Sequence, residues 1–308
     1  MNKRKLSRIT NSVCFGFAFC LITGCGGNAG PKLDTRDSGI IHISADESFK
    51  PVIDSQVQVY ESSNPKTKII VHYKPEAECL RDFGVDSIRM IIATRGYSEK
   101  ESKFISDSFK VYPSKMVIAY DAIAVIVHPS SPDSLFTMAE IKDLVTGRST
   151  KNLVPVFDGT TATSTVRFII DSVLRTETLG PKVVAAESSE GVINYVSKTQ
   201  GAVGFLGVSW VGNGEDTTQL SYLDKVKVAS VEHPLLKGKY VTPAQYNIYY
   251  GRYPMNRQLV YVLKEKHQGL AHGFANFLSG ERGQLIFKRA YLMPAQMSFS
   301  LRDATASE

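Results

Sequence analysis

Three consecutive hydroxyls, Thr163, Ser164 and Thr165, stand just ahead of the apolar helix positions Val166 and Ile169. The first backbone N–H groups of a helix lack intrahelical partners, and that end of its dipole is positive. Hydroxyls beside such groups form a cradle for a small oxyanion. Plain N-capping uses the same residue types and is commoner. Ser48, followed by Phe49, opens an earlier helix in the same way. Arg95 follows an apolar strand, where a planar guanidinium could grip an anion through two parallel bonds. A solvated surface arginine fits that place equally well. Asp121 interrupts the apolar run 117–127. A carboxylate buried there is costly unless paired. It either accepts from a protonated ligand or marks a crossover satisfied by backbone donors. Arg167, two residues into its helix, is expected to point away from the anion and ranks below Arg95.

Signatures of covalent chemistry are missing. There is no Gly-x-x-x-x-Gly-Lys phosphate loop. The segment from Gly207 to Gly212 has one residue too many for a nucleophile elbow. His267 and His272 lack the His-Glu-x-x-His frame, and His42 and His72 fall on strands as core or edge residues. No catalytic residue, cofactor or metal is expected.

The elements that must position these residues follow from periodicity. Residues 40–44 predict a strand. Residues 49–61 predict a helix with Val52, Ile53, Val57 and Tyr60 on one side and Pro51 in its tolerated first turn. A strand at 68–73, a short helix at 76–84 and a strand at 90–94 follow. This alternation predicts a parallel sheet covered by helices on both faces. The run 117–127 exceeds an ordinary strand of about five or six residues, which suits a strand passing from one sheet into another. Residues 137–147 predict a helix, with Thr137 and Glu140 as a capping box and Gly147 at its end. A second α/β set comprises a strand at 154–157, a helix carrying Val166, Ile169, Ile170 and Val173, a strand at 183–184, a helix at 189–198 and a strand at 202–208. A strand at 257–263 and helices at 270–278 and 283–289 complete the pattern. Two α/β sets joined by one long strand predict two lobes with a cleft between them. Ligands in open α/β sheets lie beyond the carboxyl ends of the strands, which places 45–49, 74–79, 95–97 and 159–165 at that cleft.

The N-terminus reads as an export signal. Lys3, Arg4, Lys5 and Arg8 precede an apolar run over 13–22, and Thr23 and Gly24 lead into Cys25. The run is too short to span a bilayer, which needs about 20 residues. Ile22-Thr23-Gly24-Cys25 matches a lipobox, implying lipidation of Cys25, cleavage before it and a membrane anchor of more than one acyl chain. The chain is therefore expected in a bacterial cell envelope, facing the periplasm or the cell surface. The formal charge of +6 includes those four cations, and residues 1–24 hold no acids, so the remainder is near +2. Nucleic acid is not an expected partner at that balance. Of four cysteines, Cys14 and Cys20 leave with the signal and Cys25 is lipidated, so Cys79 remains as a small buried residue with no disulfide partner. Residues 26–39 read as a flexible tether.

Several segments together resemble the phosphate-binding lipoproteins of bacterial ABC phosphate importers, which have the type II periplasmic binding-protein fold. Ser48-Phe49 with Pro51 resembles the first phosphate loop. The segment from Met90 to Arg95 is similar to a strand end in small-Ser-Arg, and Tyr120-Asp121-Ala122-Ile123-Ala124-Val125-Ile126-Val127 resembles Asp-Gly-Ile-Ala-Val-Ile-Val. Thr163-Ser164-Thr165 stands where Ser-Gly-Thr holds phosphate. Ala202-Val203-Gly204-Phe205, Tyr253-Pro254-Met255-Asn256-Arg257 and Gly283-Gln284 fit later segments. The resemblance implies an α/β fold of two lobes, each a central sheet flanked by helices, with hinge strands between. It implies lobe 1 at 39–122 and 246–300 and lobe 2 at 123–245, after a signal at 1–24 and a lipidated tether at 25–38. It implies phosphate or a related oxyanion as ligand, held by Ser48, Phe49, Arg95, Asp121, Thr163, Ser164 and Thr165, an ABC permease as partner, and a monomer. Four acids depart from the pattern: Asp46 and Glu47 replace Gly and Ser in the first loop, and Glu76 and Glu78 enter the second as further ligand-loop residues. The arginine usual before Ser-Gly-Thr falls on Gly159. A degenerate fold serving as adhesin or signalling module, or a different small ligand, is the alternative expectation.

Overall fold

The computed structural model describes residues 33–159, 163–212, 217–265 and 267–296. The export signal, Cys25 and most of the tether lie outside the described residues. The first half contains β1 (Ser38–Asp46), α1 (Lys50–Ser63), β2 (Lys66–Lys74), α2 (Glu76–Arg81), β3 (Ile88–Ala93), α3 (Glu99–Phe109) and β4 (Ser114–Val127). Next come β5 (Leu135–Phe136), α4 (Met138–Thr146), β6 (Val154–Phe157), α5 (Ser164–Phe168), β7 (Val184–Ala185), α6 (Ser189–Lys198) and β8 (Ala202–Gly207). The rest comprises α7 (Thr217–Leu223), β9 (Lys227–Val228), β10 (Ser230–Glu232), β11 (Tyr240–Val241), α8 (Gln245–Tyr249), β12 (Asn256–Leu263), α9 (Leu270–Ser279), α10 (Glu281–Arg289) and β13 (Met293–Pro294).

Among the described residues, one sheet runs in the order β2-β1-β3-β12-β4-β8-β6-β7, with β9 and β13 also paired to β4. The parallel arrangement expected over 40–94 is present, and the antiparallel strand at the centre comes from elsewhere in the chain. β1, β2 and β3 are parallel, but β12 returns from the far end of the chain and lies antiparallel to both β3 and β4. The length of β4 has a direct cause. Its N-terminal part, through Ala122, pairs with β12, and Ile123 to Val127 pair with β8. Asp121 therefore sits where the strand leaves one partner for the next, and its register partner on β12 is Arg257.

Apolar periodicity fixes which faces are covered. Val52, Ile53, Val57 and Tyr60 of α1 join Ile41, Ile43 and Ala45 of β1 and Phe274 of α9 in one core. A second core joins β4 to α4 and the 163–174 helical segment, a third places α6 on the opposite face of β8, and a fourth lies under α2 and α3. Gly204 is required where α6 crosses β8, because a Cβ there would come within 2.7 Å of Val192 and 2.8 Å of Ile126. The capping box of α4 is present, with Glu140 N–H donating to Thr137 and Gly147 in the left-handed region. α3 adds a helix that the sequence pattern missed, since only Ile105 and Ser106 of its eleven residues are buried.

The tether is shorter than expected. α9 has Gly269 as its N-cap residue and so no side-chain cap of its own, and the carboxylate of Asp34 supplies one, accepting from Leu270 N–H at 2.7 Å. An orphan donor at a helix start draws the chain in several residues before β1. No helix among the described residues is long and apolar enough to cross a membrane.

Candidate functional site

The loops at the ends of β1 and β6 meet beside the β4–β12 junction. Asp46 closes β1 and caps the short 3-10 turn Glu47–Phe49, its Oδ1 accepting from Ser48 N–H at 3.1 Å. That turn presents the Ser48 hydroxyl to residues 110 and 116 positions away in sequence. Ser48 Oγ lies 3.4 Å from Ser164 Oγ and donates to Asp158 Oδ2 at 3.2 Å. Its carbonyl accepts from Trp210 Nε1 at 2.8 Å and from Ser209 Oγ at 3.3 Å. Arg257 reaches in from β12. Its Nε donates to Asp121 Oδ2 at 2.7 Å, and its Nη1 donates to Ser164 Oγ at 2.8 Å and Thr165 Oγ1 at 3.4 Å. The Phe49 ring packs against that guanidinium, 4.9 Å from Cζ, a geometry that stabilises a partly desolvated cation. Ser48, Asp121, Ser164 and Thr165 are 0% exposed and Arg257 is 6% exposed, so the cluster is closed to bulk solvent.

Of the residues expected to bind, Ser48, Phe49, Asp121, Ser164 and Thr165 converge. Thr163 Oγ1 accepts from Val166 N–H as an N-cap, and the same hydroxyl hydrogen-bonds the Asp158 carboxylate of the cluster. Arg95 does not join them. β3 ends at Ala93, and alternation sends Thr94 towards the cluster and Arg95 the other way. Arg95 instead donates to both carboxylate oxygens of Glu101, at 3.0 and 3.2 Å, and supports the capping box of α3. That pairing and the Ser98 N–H hold Glu101 down at about 2. Glu78 is also outside the cluster, exposed and near Arg81 at 4.0 Å.

Glu76, Asp46 and Glu47 do enter it. Glu76 is buried and accepts from Thr94 N–H at 2.8 Å, Thr94 Oγ1 at 2.5 Å and Arg167 Nε at 2.5 Å. Arg167 also reaches Thr94 Oγ1 at 2.6 Å. It points inward, contrary to expectation, because the buried Glu76 carboxylate needs a cation. Glu47 accepts from Ser189 Oγ at 3.0 Å, tying the first loop to the start of α6. Sequence reasoning passed over Arg257, Asp158 and Ser189. Ser189 carried a readable signal as a hydroxyl opening a helix; Arg257 read as the first rung of a strand and as the end of a segment in the resemblance, without a binding role.

Acids outnumber bases here, and burial decides their titration. Burial pushes Asp46 up to about 7, with Glu76 adding to it and Arg257 opposing. Burial, then Asp158, pushes Glu47 up to about 7. Asp121 is raised by burial against the pull of Arg257, and Asp158 is raised by burial against its Thr163 hydrogen bond and then Arg257. Burial also works against charge on Glu76, but the Arg167 bond and charge outweigh it and bring it below its ordinary value. The sign for stability follows. A carboxyl raised in the folded chain contributes fully below its unfolded value near 4 and loses that contribution as pH rises through about 7. Glu76, being lowered, acts oppositely, and its contribution is lost only as pH falls through its depressed value. The ligand-free protein is therefore expected to melt at a higher temperature at about pH 5.5 than at about pH 8. Equal melting temperatures would mean that Asp46 and Glu47 stay ionised at no cost.

Elsewhere, Asp34, Glu265 and His267 lie close enough together to hold a cation. Arg89 already supplies one, donating to Asp34 at 3.0 Å and Glu265 at 2.8 Å. Cys79 is buried, with Sγ 3.5 Å from the Lys74 carbonyl, and burial raises its thiol far from reactivity.

A split sheet that shares one long strand, with polar loops converging where it divides, defines a binding-protein architecture. A family model described as PBP superfamily domain matches residues 30–282, and the chain belongs to that family. Protein SphX of Synechococcus elongatus is 22% identical over 252 residues, covering 76% of this chain and 72% of its own. A structure from Clostridium perfringens, assigned as a phosphate ABC transporter substrate-binding protein with bound phosphate, superposes with a TM-score of 0.70. It is 21% identical, over 83% of this chain and 100% of that one. An ABC-type phosphate transport receptor from Vibrio cholerae gives a TM-score of 0.60 at 16% identity, over 82% and 99%. At these identities the structural likeness is one of fold.

Proposed function

We propose that this chain is an extracytoplasmic solute-binding lipoprotein that captures phosphate or a related oxyanion and delivers it to an ABC permease. The observation that carries the reading is the meeting of the Ser48, Ser164 and Thr165 hydroxyls around Arg257, whose Nη2 is buried without a partner. A buried guanidinium N–H without an acceptor calls for one, and an anionic oxygen suits it best. Lobe 1 would comprise 39–122 and 246–300 and lobe 2 would comprise 123–245, closing by hinge motion about the central strands. Glu47 to Ser189 and Glu76 to Arg167 would be contacts made on closure. Cys25 would carry the lipid, leaving the domain outside the cytoplasm. The relatives named for phosphate transport support this reading through shared fold.

Phosphate at about 100 times its Kd is expected to add about 2.7 kcal/mol of stability, read as a rise in melting temperature. No rise with millimolar phosphate, arsenate or phosphonate would sink the proposal. The surplus of carboxylates supports a second reading, a different small ligand rich in hydrogen-bond donors, which would shift the melt where these anions do not.

A further inference from the structure

α3 is held by its ends more than by its side. Its capping box and the Arg95–Glu101 pair fix its first turn, yet of its residues only Ile105 and Ser106 are buried. Phe104 and Phe109, the other large apolar side chains of the helix, are 67% and 38% exposed. Tyr112, just beyond the helix, is 84% exposed. Phe104 and Phe109 line a depression of about 460 Å³ together with Leu80, Phe83 and Tyr97, and Arg81 and Lys100 stand at the same depression. A lone exposed apolar residue needs no explanation, but a contiguous group marks a surface that something covers.

This group lies where the chain comes in. Phe109 also lines a second depression, of about 500 Å³, with Leu33, Val111 and Lys264. Leu33 is 65% exposed, and Asp34 beside it is pinned to α9 through Leu270 N–H at 2.7 Å and to Arg89 at 3.0 Å. The entry point is therefore fixed on this face. Cys25 stands eight residues before Leu33, a span of at most about 29 Å. A domain of about 260 residues has a radius of gyration of about 18 Å and a width of roughly 45 Å. A lipid on Cys25 therefore keeps the bilayer within reach of the Leu33 side and out of reach of the opposite one.

A protein partner or a lipid surface could cover such a face, and its charges separate the two. Over 99–112, Lys100, Lys103 and Lys110 balance Glu99, Glu101 and Asp107, so long-range attraction does not carry the contact. Lysine and acids are depleted where proteins meet, whereas lysine stems lie along apolar surface and keep their ammonium groups among lipid headgroups. Tyrosine rings settle at that same boundary. We infer that α3 and residues 110–112 form a bilayer-contacting face, with Phe104 and Tyr112 entering the headgroup boundary when the chain is anchored. The contact holds the domain in one orientation on the membrane instead of leaving it free on its tether. This rests on the lipid-anchor reading above and is independent of the ligand.

Tryptophan fluorescence tests this in the processed, lipidated chain, reconstituted into phosphatidylcholine vesicles whose acyl chains carry bromine as quencher. Trp210, the single tryptophan of the sequence, is buried and serves as the unquenched background. Phe104→Trp and Tyr112→Trp place reporters on the face, and Leu235→Trp places one on the loop after β10, where Leu235 is 86% exposed. Emission of the first two reporters is expected to fall at least about twofold in brominated vesicles, as for side chains at the depth of about 5–10 Å that interfacial helices reach. Emission of the third is expected to stay unchanged. No quenching of Phe104→Trp or Tyr112→Trp in a chain that stays on the vesicles would overturn the inference and leave the anchor reading standing. Equal quenching of all three reporters would overturn it as well, because no face would then be preferred. A blue shift of Phe104→Trp without bromine quenching would overturn it in favour of a protein partner. A purified chain without lipid on Cys25 would instead remove the anchor reading, and this inference with it. Both reporter sites are exposed, thermal melts confirm that each variant is folded, and if one is not, the other decides.

Discussion

Arg257→Leu is expected to abolish oxyanion binding and to cost about 3–5 kcal/mol of stability, the range for removing one partner of a buried ion pair. The pair meets the conditions for that range, since Arg257 side-chain exposure is 3% and that of Asp121 is 0%. Losing the guanidinium leaves Asp121 buried and uncompensated at the β4–β12 junction. It also removes the nearest cation from Asp46 and Asp158, whose titration it restrains. Leucine refills part of the volume against Phe49 but answers none of the carboxylates. For a chain of this size, a loss of that order lowers the melting temperature by roughly 10 °C. Urea denaturation of the single variants and of Asp121→Asn/Arg257→Leu separates the charge from the packing. The double variant should recover part of the loss, because both charges then go together. A cost below about 1 kcal/mol, as expected only for an exposed pair, would mean that Asp121 is already neutral in the folded chain.

The second large effect concerns the contact between the second loop and α5. Arg167→Ala is expected to cost about 2–3 kcal/mol, less than a fully buried pair because Arg167 is 32% exposed. Glu76 would keep its bonds from Thr94 and lose its cation. Its folded pKa, now lowered, would then rise under the burial that already opposes its charge. The deficit should thus be largest above the unfolded carboxyl value and shrink as pH falls through about 4. Denaturation at about pH 7 and about pH 4 measures this. Arg167→Lys should restore part of the stability, though a single ammonium cannot bond Glu76 and Thr94 as the planar fork does. A deficit independent of pH would leave only lost packing as the cause. The same variant should weaken oxyanion affinity, because the contact joins segments drawn from the two halves of the sheet.

The extent of the fold that could be read in advance depended on how local the signal was. The strand at 154–157 and the helix at 189–198 were placed with the bounds that the structure gives them. Each is bracketed by turn residues and has an apolar pattern of one period. The capping box at Thr137 and Glu140 was legible because both partners lie within one turn. α3 has a box of equal quality in Ser98 and Glu101, but it buries two residues and offers no apolar stripe. The direction of β12 was not legible, since a strand's pattern is the same whichever way it runs in a sheet.

The candidate site divides in the same way. The amino-acid sequence alone determined that hydroxyls at 48 and 163–165 open helical segments, that Asp121 interrupts an apolar strand, and that acids occupy the first and second loops. Those are properties of residue type and spacing, and they survive any choice of topology. Only the tertiary structure decided which charge answers which. Arg95 was taken by Glu101 six residues on, while Arg257 came from 136 positions away to meet Asp121. Arg167 turned inward because Glu76 is buried on a different element. Electrostatic pairing in a desolvated interior depends on distances of a few ångströms, and those distances are set by which strand lies beside which, a quantity no window of sequence contains.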